Sequence, residues 1–186
     1  MDTQVYYRLI PSRFGNAGFV WRRSDGGPRV CRVFLPGEKA AIKGVIRESF
    51  PGVEPGSDRM TAAFGGKIER YLAGRTVALA LDILDMDRCS AFQKQVLTWT
   101  YRIPRGKVVT YSWLAAMLKM PGAARAVGTA LARNPFALVI PCHRVVRSGG
   151  EIGGFGGGAA LKKALLEMEG VKFDAAGRVS ARNLIR

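Results

Sequence analysis

Cys142 is followed directly by His143, the only histidine of the 186 residues, and then by Arg144. A free thiol titrates near ~8.5 and is only a few per cent thiolate at neutral pH, so an adjacent base or positive charge is what makes it a nucleophile. This tripeptide supplies both. Residues 136–140 are an apolar run ending at Pro141, so the chain leaves a buried segment and turns where Cys142 stands, just before the strand-like Val145-Val146. The plain alternative is an inert buried cysteine beside a solvated arginine, which is how most free cysteines behave. A papain-like hydrolase fits poorly, because its histidine lies far from the cysteine in sequence, on a separate element.

Neighbouring elements must hold these groups in place. Ser90 with Gln93 three residues on has the form of a capping box, predicting a helix over 90–101 with Phe92, Val96 and Trp99 on one face. Pro104-Arg105-Gly106 reads as a turn, Val108-Val109 as a short extended piece and 112–118 as a second helix. Pro121-Gly122 then turns the chain into a third helix over 123–133, mostly Ala, Gly and Thr around Arg125. Two short helices joined by a tight turn predict a helix-turn-helix. A helix that reads the major groove normally carries several long polar side chains. Here small residues would let sugar and phosphate approach the backbone, with Arg125 as the one long probe. Small residues also permit close helix packing in a core, and the pattern leaves both readings open.

Charge singles out the same half of the chain. Lys and Arg number 29 against 14 Asp and Glu, a net +15, with 14 basic and 10 acidic residues in 1–88 but 15 and 4 in 89–186. No acid falls between Asp87 and Glu151, so this stretch does not repel phosphate locally. Polyanions, nucleic acid first, are the expected partners. The shift in balance sets an N-terminal domain over 1–88, a C-terminal domain over 89–175 and a basic tail over 176–186 carrying Arg178, Arg182 and Arg186. No apolar run approaches the ~18–20 residues that span a bilayer, and Met1-Asp2-Thr3-Gln4 lacks the order of a signal peptide. A cytoplasmic protein is expected, nucleoid-associated, or nuclear in a eukaryote. Cys31, Cys89 and Cys142 form no Cys-x-x-Cys pair, so neither a structural zinc site nor a disulfide framework is expected.

The first 88 residues read as an α/β layer without a chemical motif of its own. Strands are predicted over 5–10, 19–22 and 29–35, with a turn at Gly26-Gly27-Pro28. Helices are predicted over 38–49 and 59–73, the second closed by Gly74, and a further strand over 77–83 completes the sheet.

Pro141-Cys142-His143-Arg144-Val145, preceded by Asn134-Pro135 and followed by Gly153-Gly154-Phe155-Gly156-Gly157, resembles the hallmark of the O6-alkylguanine-DNA alkyltransferases, also called methylated-DNA–protein-cysteine methyltransferases. Phe92-Gln93, Ile103-Pro104-x-Gly106, Thr110-Tyr111 and Ala124-Arg125-Ala126-Val127-Gly128 are similar to the family's pattern in the same order. The resemblance covers residues 90 to 170; the N-terminal half is similar only in length and coarse order. It implies an α/β (α+β) fold, with an N-terminal ribonuclease-H-like domain and a C-terminal winged helix-turn-helix domain.

The resemblance also implies roles. Cys142 would take the alkyl group from O6-alkylguanine, and from O4-alkylthymine, in double-stranded DNA, leaving a thioether that consumes the protein. His143 would act as base through a bridging water, Glu169 would orient it, Tyr111 would donate to the leaving guanine, and Asn134 would bond backbone near the active-site turn. Arg125 would occupy the space of the extruded base, with Ala124, Ala126, Gly128, Thr110 and Ser112 along the DNA. Val145, Phe155, Gly156 and Gly157 would wall the base pocket. Spacing alone leaves Glu167 and Glu169 as solvent-facing acids at a helix end.

Two positions depart from the family's pattern: Phe155 stands where Tyr is common, and Gly156 where Ser or another small residue occurs, which implies a roomier pocket without a hydroxyl. Some members bind zinc through N-terminal Cys and His, but only Cys31 and Cys89 lie outside the motif here. A monomer without metal or cofactor is expected. The rivals are a sensor that flips and binds the damaged base without transfer, against which Cys142 argues, and a hydrolase turning over acyl substrates.

Overall fold

A computed structural model describes residues 4–185. Residues 1–3, part of the signal-peptide reading, and Arg186 of the tail lie outside the described residues. The chain divides into two units, Met1–Arg88 with Pro135–Val139, and Cys89–Asn134 with Ile140–Arg186.

In the first unit, β1 (Val5–Ser12), β2 (Gly15–Arg22) and β3 (Arg29–Gly37) form an antiparallel meander. β4 (Glu54–Pro55) adds parallel to β1, giving the order β3-β2-β1-β4. β2 is buried continuously over 17–21, without the alternation of a one-sided strand, because helices cover both faces. Phe19 meets Phe64 of α2 (Arg59–Leu72) edge-on, ring centroids 5.1 Å apart, while its neighbour Val20 shares a core cluster with Ile46 of α1 (Lys39–Ser49). A reciprocal cap starts α2: the Asp58 carboxylate accepts from the Thr61 amide at 2.8 Å, and the Thr61 hydroxyl accepts from the Asp58 amide at 2.9 Å.

The strand predicted over 77–83 does not form. Its backbone is taken up by turns: the Ile83 amide bonds the Asp82 carboxylate, the Leu84 amide bonds the Leu81 carbonyl, and one bridge, Val30 to Leu84, touches β3. The fourth strand comes from β4 instead. Pro135–Val139 joins this unit, with the Val33 amide donating to the Pro135 carbonyl at 2.7 Å. Charge balance cannot reveal that strip, since it carries no charge.

In the second unit, α3 (Ala91–Tyr101) starts at Ser90, whose hydroxyl accepts from the Gln93 amide at 3.2 Å. The reciprocal half of the expected box is absent, because the Gln93 side chain donates to the Ala130 and Arg133 carbonyls. The buried seam is Val96, Leu97 and Thr100, leaving Phe92 and Trp99 half-buried, so the expected face is rotated. α4 (Tyr111–Met117) and α5 (Ala124–Ala132) form the helix-turn-helix. β5 (Val109–Thr110) and β6 (Val145–Val146) make a two-residue parallel ladder, followed by α6 (Gly158–Met168).

Residues 176–185 are not a separate tail. Val179 joins Val108, Val146, Leu166 and Val171 in a core cluster, the Ile185 amide donates to the Val108 carbonyl at 2.8 Å, and the buried Asn183 side chain donates to the Gly106 carbonyl at 2.8 Å. Apolar positions between the arginines hold the segment in the second unit. Among the described residues no helix is long and apolar enough to cross a membrane.

Candidate active site

Cys142 opens a single 3-10 turn, Cys142–Arg144, where the chain has just left the buried run. The turn is fixed by the Cys142 amide donating to the Ile140 carbonyl and the Arg144 amide donating to the Pro141 carbonyl, both at 2.8 Å. Asn134, just past the end of α5, donates from its side-chain amide to the same Ile140 carbonyl at 3.0 Å. The end of α5 is thereby tied to the nucleophile's turn. Along that turn Cys142 is half-buried and His143 fully buried.

His143 Nε2 lies 3.1 Å from Glu169 Oε1. A carboxylate only accepts, so Nε2 carries the proton and Nδ1 is the basic ring nitrogen. Arg144 grips the same carboxylate with two bonds, Nε to Oε2 at 2.8 Å and Nη2 to Oε1 at 2.7 Å, and its Nη1 donates to the Ile103 carbonyl at 2.5 Å. Glu169, at the end of α6, is buried, whereas Glu167 is exposed and lies 3.9 Å from Lys163. Gly106 has a related physical reason: at φ 76° a Cβ there would stand 3.1 Å from the Glu169 carbonyl oxygen.

Burial decides where the protons sit. It pulls the His143 pKa down further than the hydrogen bond and charge of Glu169 restore it, so the imidazole is neutral at pH 7 and able to accept a proton. Burial also opposes ionisation of Glu169, yet hydrogen bonds from His143 and Arg144 and the charge of Arg144 hold its carboxyl well below the usual range. For Cys142 burial pushes the thiol up, against a hydrogen bond from Asn134 and the charge of Lys162. The resting pair is neutral thiol and neutral imidazole, and ionisation belongs to the moment of attack.

Lys162 went unnoticed in the sequence. It is fully buried on α6, with Nζ donating to the Val145 carbonyl at 2.6 Å and the Gly154 carbonyl at 3.3 Å. Burial lowers its pKa from 10.5 to about 8, a shift that a thiolate at Cys142 would oppose. A signal did exist: Lys162 sits three and four residues before Leu165 and Leu166, on the stripe that must face the core.

A cleft of about 700 Å³ opens along α5, lined there by Ala124, Arg125 and Gly128. Tyr111 and Ser112 from the start of α4, and Arg147 and Gly154 from the loop after β6, also line it. The small residues of α5 face this cleft, while Val127, Ala130 and Leu131 form its buried side, so close core packing explains only part of the composition. Tyr111 is half-buried in that lining. Burial raises its phenol pKa, the charge of Cys142 adds to that, and Arg147 opposes, so the phenol stays protonated.

Other expected site residues are placed elsewhere or otherwise engaged. Thr110 caps α4, its hydroxyl accepting from the Trp113 amide at 3.0 Å. Ala126 is exposed and outside the cleft lining, as are Gly156 and Gly157 ahead of α6. Val145 is buried and offers its carbonyl to Lys162, and Phe155 stands edge-on to His143 with ring centroids 6.3 Å apart.

A half-buried thiol backed by a buried imidazole–carboxylate–guanidinium network, beside a helix-turn-helix, defines a cysteine-nucleophile protein of the nucleic-acid-binding kind. Residues 91–171 match the family model of the 6-O-methylguanine DNA methyltransferase DNA-binding domain. The methylated-DNA–protein-cysteine methyltransferase of Saccharolobus islandicus is 41% identical over 133 residues, 70% of this chain and 85% of the relative. That of Methanothermobacter thermautotrophicus is 50% identical over 107 residues, 58% of this chain, and the match spans only 60% of the relative's length. The crystal structure of the Mycobacterium tuberculosis O6-methylguanine methyltransferase superposes with a TM-score of 0.70 at 31% identity, covering 89% of this chain and 93% of that one. A structure of the M. tuberculosis protein in complex with DNA gives 0.71 at 31% identity, covering 88% and 92%. This chain belongs to the methylated-DNA–protein-cysteine methyltransferase family, and its two-unit α/β architecture is the one those structures have.

Proposed function

We propose that this protein repairs DNA by moving the alkyl group from guanine O6, and from thymine O4, in a duplex onto Sγ of Cys142, once per molecule. The observation that carries the reading is the His143–Glu169–Arg144 network behind Cys142, together with the cleft along α5 that Tyr111 lines. Sγ attacks the alkyl carbon, the carbon–O6 bond breaks, the thiol proton passes to His143 and the phenol of Tyr111 protonates the departing guanine. The product thioether has no ready hydrolytic exit, so the protein is consumed.

Reaching O6 requires extruding the nucleotide, which costs a few kcal/mol of unstacking. Arg125, exposed on the cleft, fills the vacated stack, and Ala124 and Gly128 let the backbone approach. In this proposal the protein works as a monomer without metal or cofactor, one chain carrying every group named.

The test is intact-mass measurement after incubation with O6-methylguanine duplex in the presence of a chelator. The mass is expected to rise by one methyl group and no more, and Cys142→Ala to abolish the gain while retaining duplex affinity. Multiple turnovers, or binding with no mass gain in the native protein, would overturn the reading. Pocket size gives a further expectation. O6-benzylguanine is expected to be accepted: Gly156 is exposed and outside the cleft lining, so no side chain at that position narrows it. Complete refusal of the benzyl group by the native protein counts against the roomier pocket.

A further inference from the structure

A second groove, of about 410 Å³, runs between α3 and the end of α4 and shares no residue with the cleft along α5. Lys94 and Arg102 border it at the two ends of α3, about 12 Å apart along a helix axis that rises ~1.5 Å per residue. Between them stands the half-buried indole of Trp99, with the Arg102 guanidinium 5.0 Å from its ring centroid. Thr98 and the exposed Met117 add to the lining, Lys119 closes it, and no carboxylate takes part.

The backbone of Lys119 marks this edge as more than a solvated surface. Its φ is 59°, in the left-handed region. Its amide donates to the Ala116 carbonyl at 2.9 Å and that of Met120 to the Ala115 carbonyl at 3.0 Å, the helix-ending pattern in which glycine is favoured at the first position. A lysine is disfavoured there relative to glycine, and it places its ammonium stem at the groove. A strained, side-chain-bearing residue next to a cationic, aromatic groove points to function.

We propose that this groove binds an unpaired stretch of nucleic acid, with a base against Trp99 and neighbouring phosphates at Lys94, Arg102 and Lys119. Cations tracking a backbone beside an aromatic face is the chemistry of sequence-tolerant single-strand binding, and a closed duplex has no free base face to offer the indole. The site stands apart from alkyl transfer and does not rest on it.

The probe is a short labelled oligothymidylate, which contains no guanine, followed by fluorescence anisotropy across a salt series. Trp99→Leu is expected to weaken binding by about 5- to 150-fold. Lys119→Gly is expected to flatten the plot of log K against log salt by about 0.7 while leaving the melting temperature unchanged or higher. Alkyl transfer from free O6-benzylguanine should be unaffected in both, which separates a lost groove from a lost fold. Unchanged oligothymidylate affinity in either variant, a lower melting temperature for Lys119→Gly, or a loss confined to duplex probes would overturn the proposal. Absence of transfer in the native protein would instead count against the repair reading alone.

Discussion

Glu169→Gln is expected to slow single-turnover alkyl transfer by about 100- to 10,000-fold, the range that general-base assistance contributes. The substitution keeps the shape of the side chain but replaces an acceptor-only group by one that also donates. One carboxylate oxygen becomes an amide nitrogen that donates, so the single remaining oxygen cannot serve His143 Nε2 and both Arg144 bonds, and the charge that the network compensates is gone. Removing one member of a buried ionic network leaves the others uncompensated, so stability should fall by about 3–5 kcal/mol as well. The two losses separate experimentally. Rates are read by quenched-flow mass analysis at a temperature where the variant is folded, and stability by urea titration. A folded Glu169→Gln protein that transfers at the native rate would remove His143 from the mechanism.

The pH dependence of the same residue has a definite sign. Its folded-state pKa is depressed, so its stabilisation is fully present above the unfolded value near ~4.3 and is lost as pH falls from there toward the lower folded value. The native protein should thus lose stability steeply with acid below about pH 4.3, and Glu169→Gln should flatten that slope.

How much of this was legible in the sequence depends on which physical signal each residue left. Local signals carried far: Cys142 with His143, the serine cap of α3 and the paired short helices all follow from neighbours within a few positions. Glu169 is different. Its spacing is that of a solvent-facing acid, and only the family resemblance chose it; what buries it is Arg144, 25 residues away in the chain, folded back onto α6. The strand predicted over 77–83 shows the opposite failure. A β-rich apolar run reads as a strand, but the Ile83 amide bonds the Asp82 carboxylate, and pairing with β3 shrinks to a bridge at Val30 and Leu84. In the last ten residues arginines dominated the composition and hid Val179, Asn183 and Leu184, which carry the packing. The second helix, expected to start at 112, starts at Tyr111, and Thr110, expected only along the DNA, caps it.

Lys162 shows what composition conceals most readily, and Lys162→Met is the second substitution expected to have a large effect. In a chain with 29 basic residues one more lysine attracts no notice, although this one is fully buried. Its ammonium ties the carbonyl of Val145, three residues after the nucleophile, to that of Gly154 in the loop lining the cleft. It is also a positive charge that favours ionisation of Cys142. Sulfur gains negative character only as its proton leaves, so that charge acts on the attacking state more than on the resting thiol. Methionine keeps the length of the chain and removes both functions. Transfer should fall by about 100- to 1,000-fold, the usual consequence of deleting one preorganised electrostatic contact at a reacting centre.

Stability carries an independent signature. Lys162 titrates at about 8 in the folded protein and near ~10.4 unfolded, so between those values the unfolded chain binds the extra proton and raising the pH favours folding. That increment, on the order of 3 kcal/mol, should appear in native minus Lys162→Met urea-denaturation energies measured at pH 7 and pH 10.5. If the difference does not change with pH, the ammonium is not paying a burial penalty; if the rates match, Cys142 does not feel its charge. Matched rates would leave Asn134 and the backbone amides of Cys142 and His143 as the groups favouring the thiolate, and Asn134→Ala should then show the larger loss.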